Sequence, residues 1–447
     1  MALYPQYKKY KPTRCAWLKE IPEHWDFKRI KNVATHNDEA LDERTDPDLE
    51  IDYVDISSVT LTKGIEKTET MLFEKAPSRA RRKVKDGDII VSTVRTYLKA
   101  IAPICEPPEY MVVSTGFAVI RPKENLHSGF AGYLLQSNGF VGEVVANSVG
   151  VSYPAINASD LVRIPAVEPP LDEQRSIARF LDFKTAQFDA QITKQQALLD
   201  KLAEKRTALI SHAVTKGLDP SVSMKDSKVE WLGSIPQDWK ETRVKFLGEL
   251  ILGLTYSPDD VVSDRGTLVL RSSNVQDGKI SLDDCVYVSC DIPRKIVTKV
   301  DDILICSRNG SRALIGKCAL LTEEVSNQAF GAFMTVLRSK HARFLYYVLN
   351  STLFKFQSGR FLTSTINQLT TQTLGDFEIA LPSEEAQAAI VNYLDKATDA
   401  IDAQCKKVQS VIDRLTEYRA ALITNAVSGK IDVRGFEIPQ PAEGMAL

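Results

Sequence analysis

A long internal repeat constrains this chain more than any other feature of its 447 residues. Residues 172–216 match residues 385–429 without a gap, and paired positions such as Gln174 and Gln387 lie 213 residues apart. The repeat also includes two tryptophan-bounded openings, WLKEIPEHW at residues 17–25 and WLGSIPQDW at residues 231–239. A repeat of this length indicates two tandem units, each formed by a variable domain and a long segment that follows it.

Both copies of the long segment have the composition and periodicity of an α-helix. Neither contains Pro or internal Gly, and both are rich in Ala, Leu, Lys, Gln and Glu. Apolar residues recur every seven positions as a narrow stripe, which a lone helix cannot bury. We therefore expect the copies to pair as a coiled coil with an interface of Leu181, Phe188, Ile192, Leu199, Leu202, Leu209, Leu394, Ile401, Val408, Ile412, Leu415 and Leu422.

The linker after the first long segment predicts the direction of this pairing. Residues 217–230 separate it from the second opening, and fully extended they span roughly 50 Å. Each helix would be roughly 65 Å long, so a parallel pair would need a longer return. We therefore expect an antiparallel pair that acts as a spacer, with a variable domain at each end.

The predicted fold class is α+β, with two mixed α/β domains in tandem, two long helices forming an antiparallel coiled coil and a pseudo-twofold internal repeat. The expected organisation is a first domain at 1–170, a first long helix at 171–216, a second domain at 217–382, a second long helix at 383–430 and a C-terminal tail at 431–447. Because the tail contains Pro439, Pro441 and Gly444, we expect it to be loosely held.

Composition argues against several classes of protein. The hydrophobic share of 44% and the charged share of 26% are typical of a globular protein. Seven scattered cysteines without a CxxC pair, and five dispersed histidines, favour a reducing cytoplasm and no structural metal. No run of about eighteen apolar residues is present, and the first residues lack the apolar core of a signal peptide. We expect a cytoplasmic protein without a membrane span.

Basic residues cluster around an equivalent strand of both domains, which begins near Asp88 and near Asp302. A local basic face is enough for phosphate contacts, even though the net charge is −2. Arg can pair with guanine and Asn with adenine, whereas Lys mostly contacts phosphates. The candidate DNA-binding residues are Arg79, Arg81, Arg82, Lys83, Arg95, Tyr97, Lys99, Ser152, Tyr153, Arg294, Lys295, Arg308, Asn309, Arg312, Thr363, Ser364 and Thr365. The alternative interpretation of such a cluster is an ordinary solvated charged surface.

Enzyme-like patterns do not withstand inspection. Residues 310–318 (GSRALIGKC) resemble a phosphate-binding loop, but one residue too many separates the glycines. Cys318 also occupies the position where the magnesium-binding Ser or Thr belongs. No glycine-rich methyl-donor loop and no Asn-Pro-Pro-Tyr-like string is present. We therefore expect a non-catalytic chain.

The repeated openings, variable domains and near-identical long helices resemble the specificity (S) subunit of type I restriction–modification enzymes. The most specific mark is PPLDEQ at residues 169–174, which has weakened to PSEEAQ at residues 382–387. The resemblance implies that each domain reads one half of a bipartite, asymmetric site in double-stranded DNA. It also implies that the helices set the spacing and dock two modification (methyltransferase) subunits, with restriction subunits if present. S-adenosylmethionine, ATP and magnesium would belong to those partners, and this chain would hold no cofactor.

Two other functions stay open at this point. One is a nuclease or methyltransferase that acts alone, which turnover by the purified chain would reveal. The other is a coiled-coil protein-interaction scaffold without sequence-specific DNA readout. Salt-dependent DNA binding would separate this scaffold from a DNA-specificity subunit, because phosphate contacts release counterions.

Overall fold

The computed structural model describes residues 4–263, 265–361 and 368–439 of the chain. It divides into two compact units, one formed by Met1–Gln195 with Ser410–Leu447 and the other by Gln196–Gln409. Each unit thus contains one variable domain and a part of each long helix. The tandem domains, with their mixture of helix and sheet, confirm the predicted α+β fold class.

The first domain consists of short strands and four short helices before its long helix. The strands are β1 (Tyr10–Pro12), β2 (Glu20–Pro22), β3 (Asp26–Arg29), β4 (Ala34–His36), β5 (Glu50–Val54), β6 (Val59–Thr60), β7 (Gly64–Ile65), β8 (Glu69–Leu72), β9 (Ala80–Lys83), β10 (Ile89–Ser92), β11 (Ile101–Pro103), β12 (Met111–Ser114), β13 (Phe117–Pro122) and β14 (Pro165–Glu168). The helices are α1 (Ile30–Val33), α2 (Ser128–Gln136), α3 (Asn138–Ala146), α4 (Ala158–Leu161) and the long helix α5 (Leu171–Lys216).

The second domain has the same plan. Its strands are β15 (Met224–Asp226), β16 (Ser234–Pro236), β17 (Lys240–Arg243), β18 (Glu249–Leu252), β19 (Val261–Val262), β20 (Thr267–Leu270), β21 (Val275–Gln276), β22 (Lys279–Ile280), β23 (Tyr287–Val288), β24 (Ile303–Cys306), β25 (Cys318–Leu320), β26 (Ala329–Phe330), β27 (Met334–Arg338) and β28 (Glu378–Leu381). Its helices are α6 (Ala342–Leu349), α7 (Thr352–Phe361), α8 (Thr371–Gly375) and the long helix α9 (Glu384–Val427).

Equivalent four-stranded antiparallel sheets form the centre of each domain. The strand order is β11-β10-β13-β4 in the first domain and β25-β24-β27-β18 in the second. The central strands β10 and β24 are apolar and buried along their whole length. A second four-stranded sheet lies in each domain, with orders β8-β5-β12-β9 and β19-β23-β20-β26, and each contains one parallel pair. The duplication inferred from the sequence therefore extends to the sheet topology.

A buried ion pair holds the same corner of both central sheets. The guanidinium of Arg121 donates two hydrogen bonds of 2.8 Å to Asp88, and Arg338 donates bonds of 2.8 and 2.7 Å to Asp302. Paired bonds of this kind are strong and directional because both partners are charged. The bonds raise the pKa of both guanidinium groups. These ion pairs fix the turn directly before the central strand of each domain, next to the basic residues.

Buried side chains explain the PPLDEQ motif where α5 begins. Gln174 donates to the Pro169 carbonyl oxygen at 2.7 Å, and Gln387 makes the equivalent bond of 2.9 Å to Pro382. Glu173, which is 5% exposed, accepts hydrogen bonds from Trp25 Nε1 at 3.0 Å and from the Tyr7 hydroxyl. Burial and the bond to Glu173 raise the pKa of Tyr7.

The second copy of the motif keeps only part of this arrangement. The residue equivalent to Glu173 is Ala386, so the second domain has no carboxylate at that position. The bond made by Gln387 needs only the glutamine and a backbone carbonyl. The weakening of the motif therefore removes one buried carboxylate and keeps the start of the helix.

Within each unit the segments of the two long helices run antiparallel. In the first unit, Ile177 and Leu181 share a core with Ile423 and Val427, and Asp189 bonds Arg419 at 2.9 Å. Moving forward along α5 therefore means moving backward along α9. In the second unit, Ile210 and Val214 share a core with Ile390 and Leu394, and Arg206 lies 3.4 Å from Asp402. The twelve residues proposed for the coiled-coil interface are all buried or half-buried.

A glycine in the left-handed region ends each long helix against a tryptophan. Gly217 has φ +79° and faces Trp239, whereas Gly429 has φ +74° and faces Pro22 and Trp25. Glycine adopts this conformation without the steric cost that other residues incur. Each tryptophan-bounded opening therefore receives the end of the long helix from the other repeat.

The C-terminal tail is packed where the structure describes it, so the expectation of a loosely held segment is wrong for residues 431–436. Val433 is buried in the first core, and the backbone N–H of Asp432 donates to the Pro5 carbonyl at 2.8 Å. The ring of Phe436 packs edge-on against Phe180 at 4.8 Å. The prolines that suggested disorder lie beyond this packed segment, at Pro439 and Pro441.

Candidate nucleic-acid interface

Two loops meet at one edge of the first domain. Val94 forms an isolated β-bridge with Ala155, and the hydroxyls of Thr96 and Ser148 lie 2.8 Å apart. These contacts join the loop after β10 to the loop after α3. As a result, the predicted residues Arg95, Tyr97, Lys99, Ser152 and Tyr153, although distant in sequence, lie on adjoining exposed loops.

Arg95 is held in a defined position on this surface. Its guanidinium lies 5.0 Å from the centre of the Tyr153 ring, a cation–π contact, and Tyr153 is 66% exposed. Arg95 and Lys99 adopt positive φ values of 50° and 54°, which non-glycine residues rarely do. Neither side chain forms an ion pair with any residue that the structure describes. Both cations are therefore available to an anionic ligand.

The basic residues of β9 differ in their surroundings. Arg79 pairs with Asp55 at 3.0 Å, and its pKa is raised by its hydrogen bond with Tyr53 and by Asp55. Arg81 stacks over Phe73 at 4.6 Å. Arg82 is partly buried and donates to the Thr115 carbonyl at 3.4 Å, and burial lowers its pKa.

Most basic side chains in and next to β9 therefore contact other residues of their own domain. Lys83 is half-buried within the strand, and Lys85, its neighbour beyond the strand, pairs with Glu39. DNA contacts of the β9 residues stay a prediction. The loop after β10 is the better placed of the two basic segments, because its cations form no ion pair with the residues that the structure describes.

The equivalent loop of the second domain carries a second arginine on an aromatic ring. Arg308 lies 5.1 Å from the centre of the Phe333 ring, and Phe333 is 57% exposed. Arg308 also forms an isolated bridge with Gln368, which corresponds to the bridge of Val94 with Ala155 in the first domain. The two domains thus present an arginine from the same loop of the same scaffold, although the aromatic ring beneath it comes from the loop after α3 in the first domain and from the residue before β27 in the second.

The other predicted residues of the second domain are placed as follows. The amide of Asn309 is engaged at both ends, by the Ser272 hydroxyl at 3.1 Å and by the Ser311 backbone N–H at 2.9 Å. Arg312 is exposed and reaches the Gly359 carbonyl at 3.4 Å. Arg294 is exposed, and Lys295 pairs with Glu249 at 2.8 Å. Thr363, Ser364 and Thr365 lie outside the described residues.

Sequence reasoning missed the apolar part of this surface. Val149 is 81% exposed, Val151 is fully exposed, Leu98 is 48% exposed, and none of the three was selected. Phe333, whose ring supports Arg308, is also absent from the predicted residues. An apolar residue in a loop carries no local signal of exposure, so these side chains could be identified only once the strands and helices were placed.

Within 4–263, 265–361 and 368–439, no group of three or more His, Cys, Asp or Glu side chains could hold a metal ion. In the same ranges, no helix is both long and apolar enough to span a lipid bilayer.

Comparisons with known proteins identify the family. The family model described as type I restriction modification DNA specificity domain matches residues 22–202 and again residues 236–411. These two matches cover most of the chain, and the chain belongs to this family. They also follow the internal repeat, with one match for each domain and the long helix after it.

Two relatives show how far the likeness extends. The putative type I restriction enzyme MjaX specificity subunit of Methanocaldococcus jannaschii is 23% identical over 456 residues, which cover 97% of this chain and 100% of that protein. The type I restriction enzyme StySPI specificity subunit of Salmonella potsdam is 27% identical over 213 residues. That second alignment spans only 44% of each protein, less than half the length of the relative.

A solved structure supports the fold. A chain from a study of complex assembly and conformational transition of the type I R-M system superimposes with a TM-score of 0.66. The match covers 91% of this chain and 98% of that chain at 23% identity. At this identity the likeness shows a shared fold.

Proposed function

We propose that this chain selects a bipartite site in double-stranded DNA, with one recognition domain for each half-site. The observation that carries the proposal is that the equivalent loop of each domain presents an arginine on an aromatic ring, Arg95 on Tyr153 and Arg308 on Phe333, although the two rings come from different segments. A duplicated scaffold with unlike loops is suited to two unlike half-sites. Such a site would be asymmetric, whereas two identical readers would recognise a palindrome.

The chemistry of the exposed residues fits readout of a duplex. A guanidinium is planar by delocalisation, and contact with an aromatic ring restricts the orientation of that plane. Its paired N–H groups match the O6 and N7 acceptors of guanine. Lys99 and Arg294 are exposed cations without ion pairs to described residues, so they are suited to phosphates. We infer that the arginines specify bases and that the other cations position the backbone.

We propose that the chain is non-catalytic and works with two modification subunits, and with restriction subunits where these exist. The modification subunits would bind S-adenosylmethionine and methylate adenine, and restriction subunits would use ATP and magnesium. What supports this division is membership of the DNA specificity family together with the absence of a catalytic motif in the sequence. Incubation of the purified chain with DNA, magnesium and S-adenosylmethionine tests it, and any turnover contradicts it.

We also propose that the paired long helices set the number of base pairs between the half-sites. The two helices are 46 and 44 residues long, and each unit contains antiparallel segments of both. Buried Arg419 on Asp189, and Arg206 on Asp402, hold equivalent positions of the two helices together. A stiff helix pair converts a number of residues into a length.

The experiment that tests the proposal begins with co-expression of the chain and the modification subunit, followed by sequencing of DNA for methylated adenines. The expected result is one split motif. Exchange of residues 18–165 for those of a relative should change one half of the motif, and exchange of residues 232–380 should change the other half. A complex that forms without any split motif would contradict the proposal and favour the protein-interaction scaffold.

A further inference from the structure

The loop after α3 presents an apolar tip that the proposed arginine contacts do not use. Val151 is fully exposed and Val149 is 81% exposed, on either side of Gly150 and next to Tyr153. Single exposed apolar residues are common on protein surfaces, but several adjoining ones indicate a binding surface. This tip is therefore suited to bind a ligand that has an apolar group.

The base of the loop is rigid, so the tip has a defined shape. The backbones of Val149 and Ala155 exchange two hydrogen bonds, of 2.8 and 3.0 Å. Gly150 turns the chain with φ +115°, where a side chain would approach the Tyr153 carbonyl oxygen to 3.1 Å. Valine has few side-chain rotamers. The backbone of Val149 is therefore fixed at the base of the loop, and Val151 projects from the tip just beyond Gly150.

The neighbours of the tip show which ligand fits. Arg95 stacks on Tyr153 at 5.0 Å, and Arg95 and Lys99 form no ion pair with the described residues. An apolar tip flanked by free cations matches the major groove of DNA, where phosphates line the edges. The one apolar group on a base edge in that groove is the 5-methyl group of thymine. A protein partner would be expected to offer a broader apolar surface with carboxylates.

We propose that Val149 and Val151 read the 5-methyl group of thymine in the half-site bound by the first domain. The inference rests on the proposed function and adds the identity of one recognised chemical group. Thymine methyl groups should therefore matter in the first half-site.

The test uses the full chain in complex with the modification subunit, after the split motif and its halves have been assigned by domain exchange. Deoxyuridine, which lacks only the 5-methyl group, replaces thymine in one half-site at a time. Binding should weaken roughly threefold to fivefold for each methyl group that the valines cover. A variant with both Val149→Ser and Val151→Ser should bind thymine and uracil DNA equally well. Val222→Ser is the control, because Val222 is exposed in the segment between α5 and β15, outside the loops with the predicted DNA contacts, and it should keep the preference for thymine.

The outcomes separate this inference from the proposed function. If no split motif is found, the proposed function fails. If the motif is found but wild-type binding is unchanged by uracil in the first half-site, only the inference is overturned. If the double serine variant loses the modification subunit while wild type ignores uracil, the tip is a protein-docking surface, and the thymine proposal is likewise wrong.

Discussion

Arg95 and Arg308 show how the neighbours of one side chain can prepare it for recognition. A free arginine samples many rotamers, and ordering it on a ligand costs up to about 2 kcal/mol of conformational entropy. The contacts with Tyr153 and Phe333 restrict the guanidinium groups before DNA arrives. Recognition then depends less on ordering the side chain and more on the hydrogen bonds that it forms with the base.

Replacement of each arginine should therefore affect one half-site only. We expect Arg95→Ala to weaken specific binding by about 1–3 kcal/mol, which is roughly fivefold to 150-fold in Kd, and to relax the first half of the motif alone. Arg308→Ala should do the same for the second half. Competition binding with DNA mutated in one half-site at a time measures both effects.

Lysine substitutions provide the matched control for these arginines. Arg95→Lys keeps the positive charge but loses the planar donor group, so it should preserve non-specific binding and still relax the first half-site. If lysine restored full specificity, Arg95 would be a phosphate contact and the base-reading role would be wrong.

Gly429 gives a second prediction at the residue scale. A Cβ atom at this position would lie 2.4 Å from Pro22 Cδ, in addition to the strain of a positive φ. At Gly217 the nearest atom is Trp239 Cζ2 at 3.5 Å, so only the backbone strain applies. Gly429→Ala should lower the free energy of unfolding by about 2–4 kcal/mol, against about 1 kcal/mol for Gly217→Ala. Urea unfolding followed by circular dichroism checks the order, and equal losses would contradict it.

At this scale the sequence predicts types of residue better than their surroundings. The basic residues of β9 were predicted to contact DNA because arginine is common in DNA interfaces. In the structure, however, Arg81 packs over the Phe73 ring and Arg82 donates a hydrogen bond to the Thr115 carbonyl. Val149 and Val151 were not predicted as contacts, because an exposed valine cannot be told from a core valine in the sequence. The partners and the exposure of a side chain depend on contacts between segments that are distant in sequence. The residues next to it in the sequence do not reveal those contacts.

The long helices are the elements that the sequence predicted best. Their apolar period, their lack of proline and their duplication all point to the same structure, and α5 occupies Leu171–Lys216. The packed segment at residues 431–436 was missed, because its anchors are a few contacts with residues far away in the sequence, such as those to Phe180 and Pro5. Periodic elements are predictable since many residues repeat one signal, whereas a short docked segment depends on a few long-range contacts.

The ion pair between Asp189 and Arg419 should contribute to the packing of the two helices. Arg419 has only 10% of its side chain exposed, so loss of its partner leaves a largely buried charge unpaired. In a double-mutant cycle with Asp189→Ala and Arg419→Ala, we expect a coupling energy of about 1–2 kcal/mol. The free energy of urea unfolding supplies the four values of the cycle.

An exposed pair of similar length is the control for this cycle. Lys340 and Glu384 lie 2.7 Å apart, but more than 70% of each side chain is exposed, so their coupling should be about 0–1 kcal/mol. If the coupling energy of the buried pair is no larger than that of the exposed pair, the ion pair between Asp189 and Arg419 does not stabilise the packing of the two helices.

For the whole molecule, the compact units do not coincide with the two repeats of the sequence. The first opening receives the end of α9, and the second opening receives the end of α5. Each unit therefore needs helix segments from both repeats. Deletion of one repeat would therefore leave a recognition domain without the helix end that covers its tryptophan.

The proposed spacer role makes a prediction about the whole molecule. One extra heptad inserted after Ala197 in α5 and another after Ser410 in α9 keeps the seven-residue stripe and lengthens both helices by roughly 10 Å. This equals about three base pairs of DNA at 3.4 Å each, so the gap in the methylated motif should widen by about three base pairs with both halves unchanged. Affinity should fall as well, since three base pairs also rotate one half-site by about 100° around the duplex. A heptad in one helix alone should destabilise the protein without a new gap. Sequencing of methylated adenines reads the result, and an unchanged gap in a folded double-insertion variant would rule out the helices as the ruler.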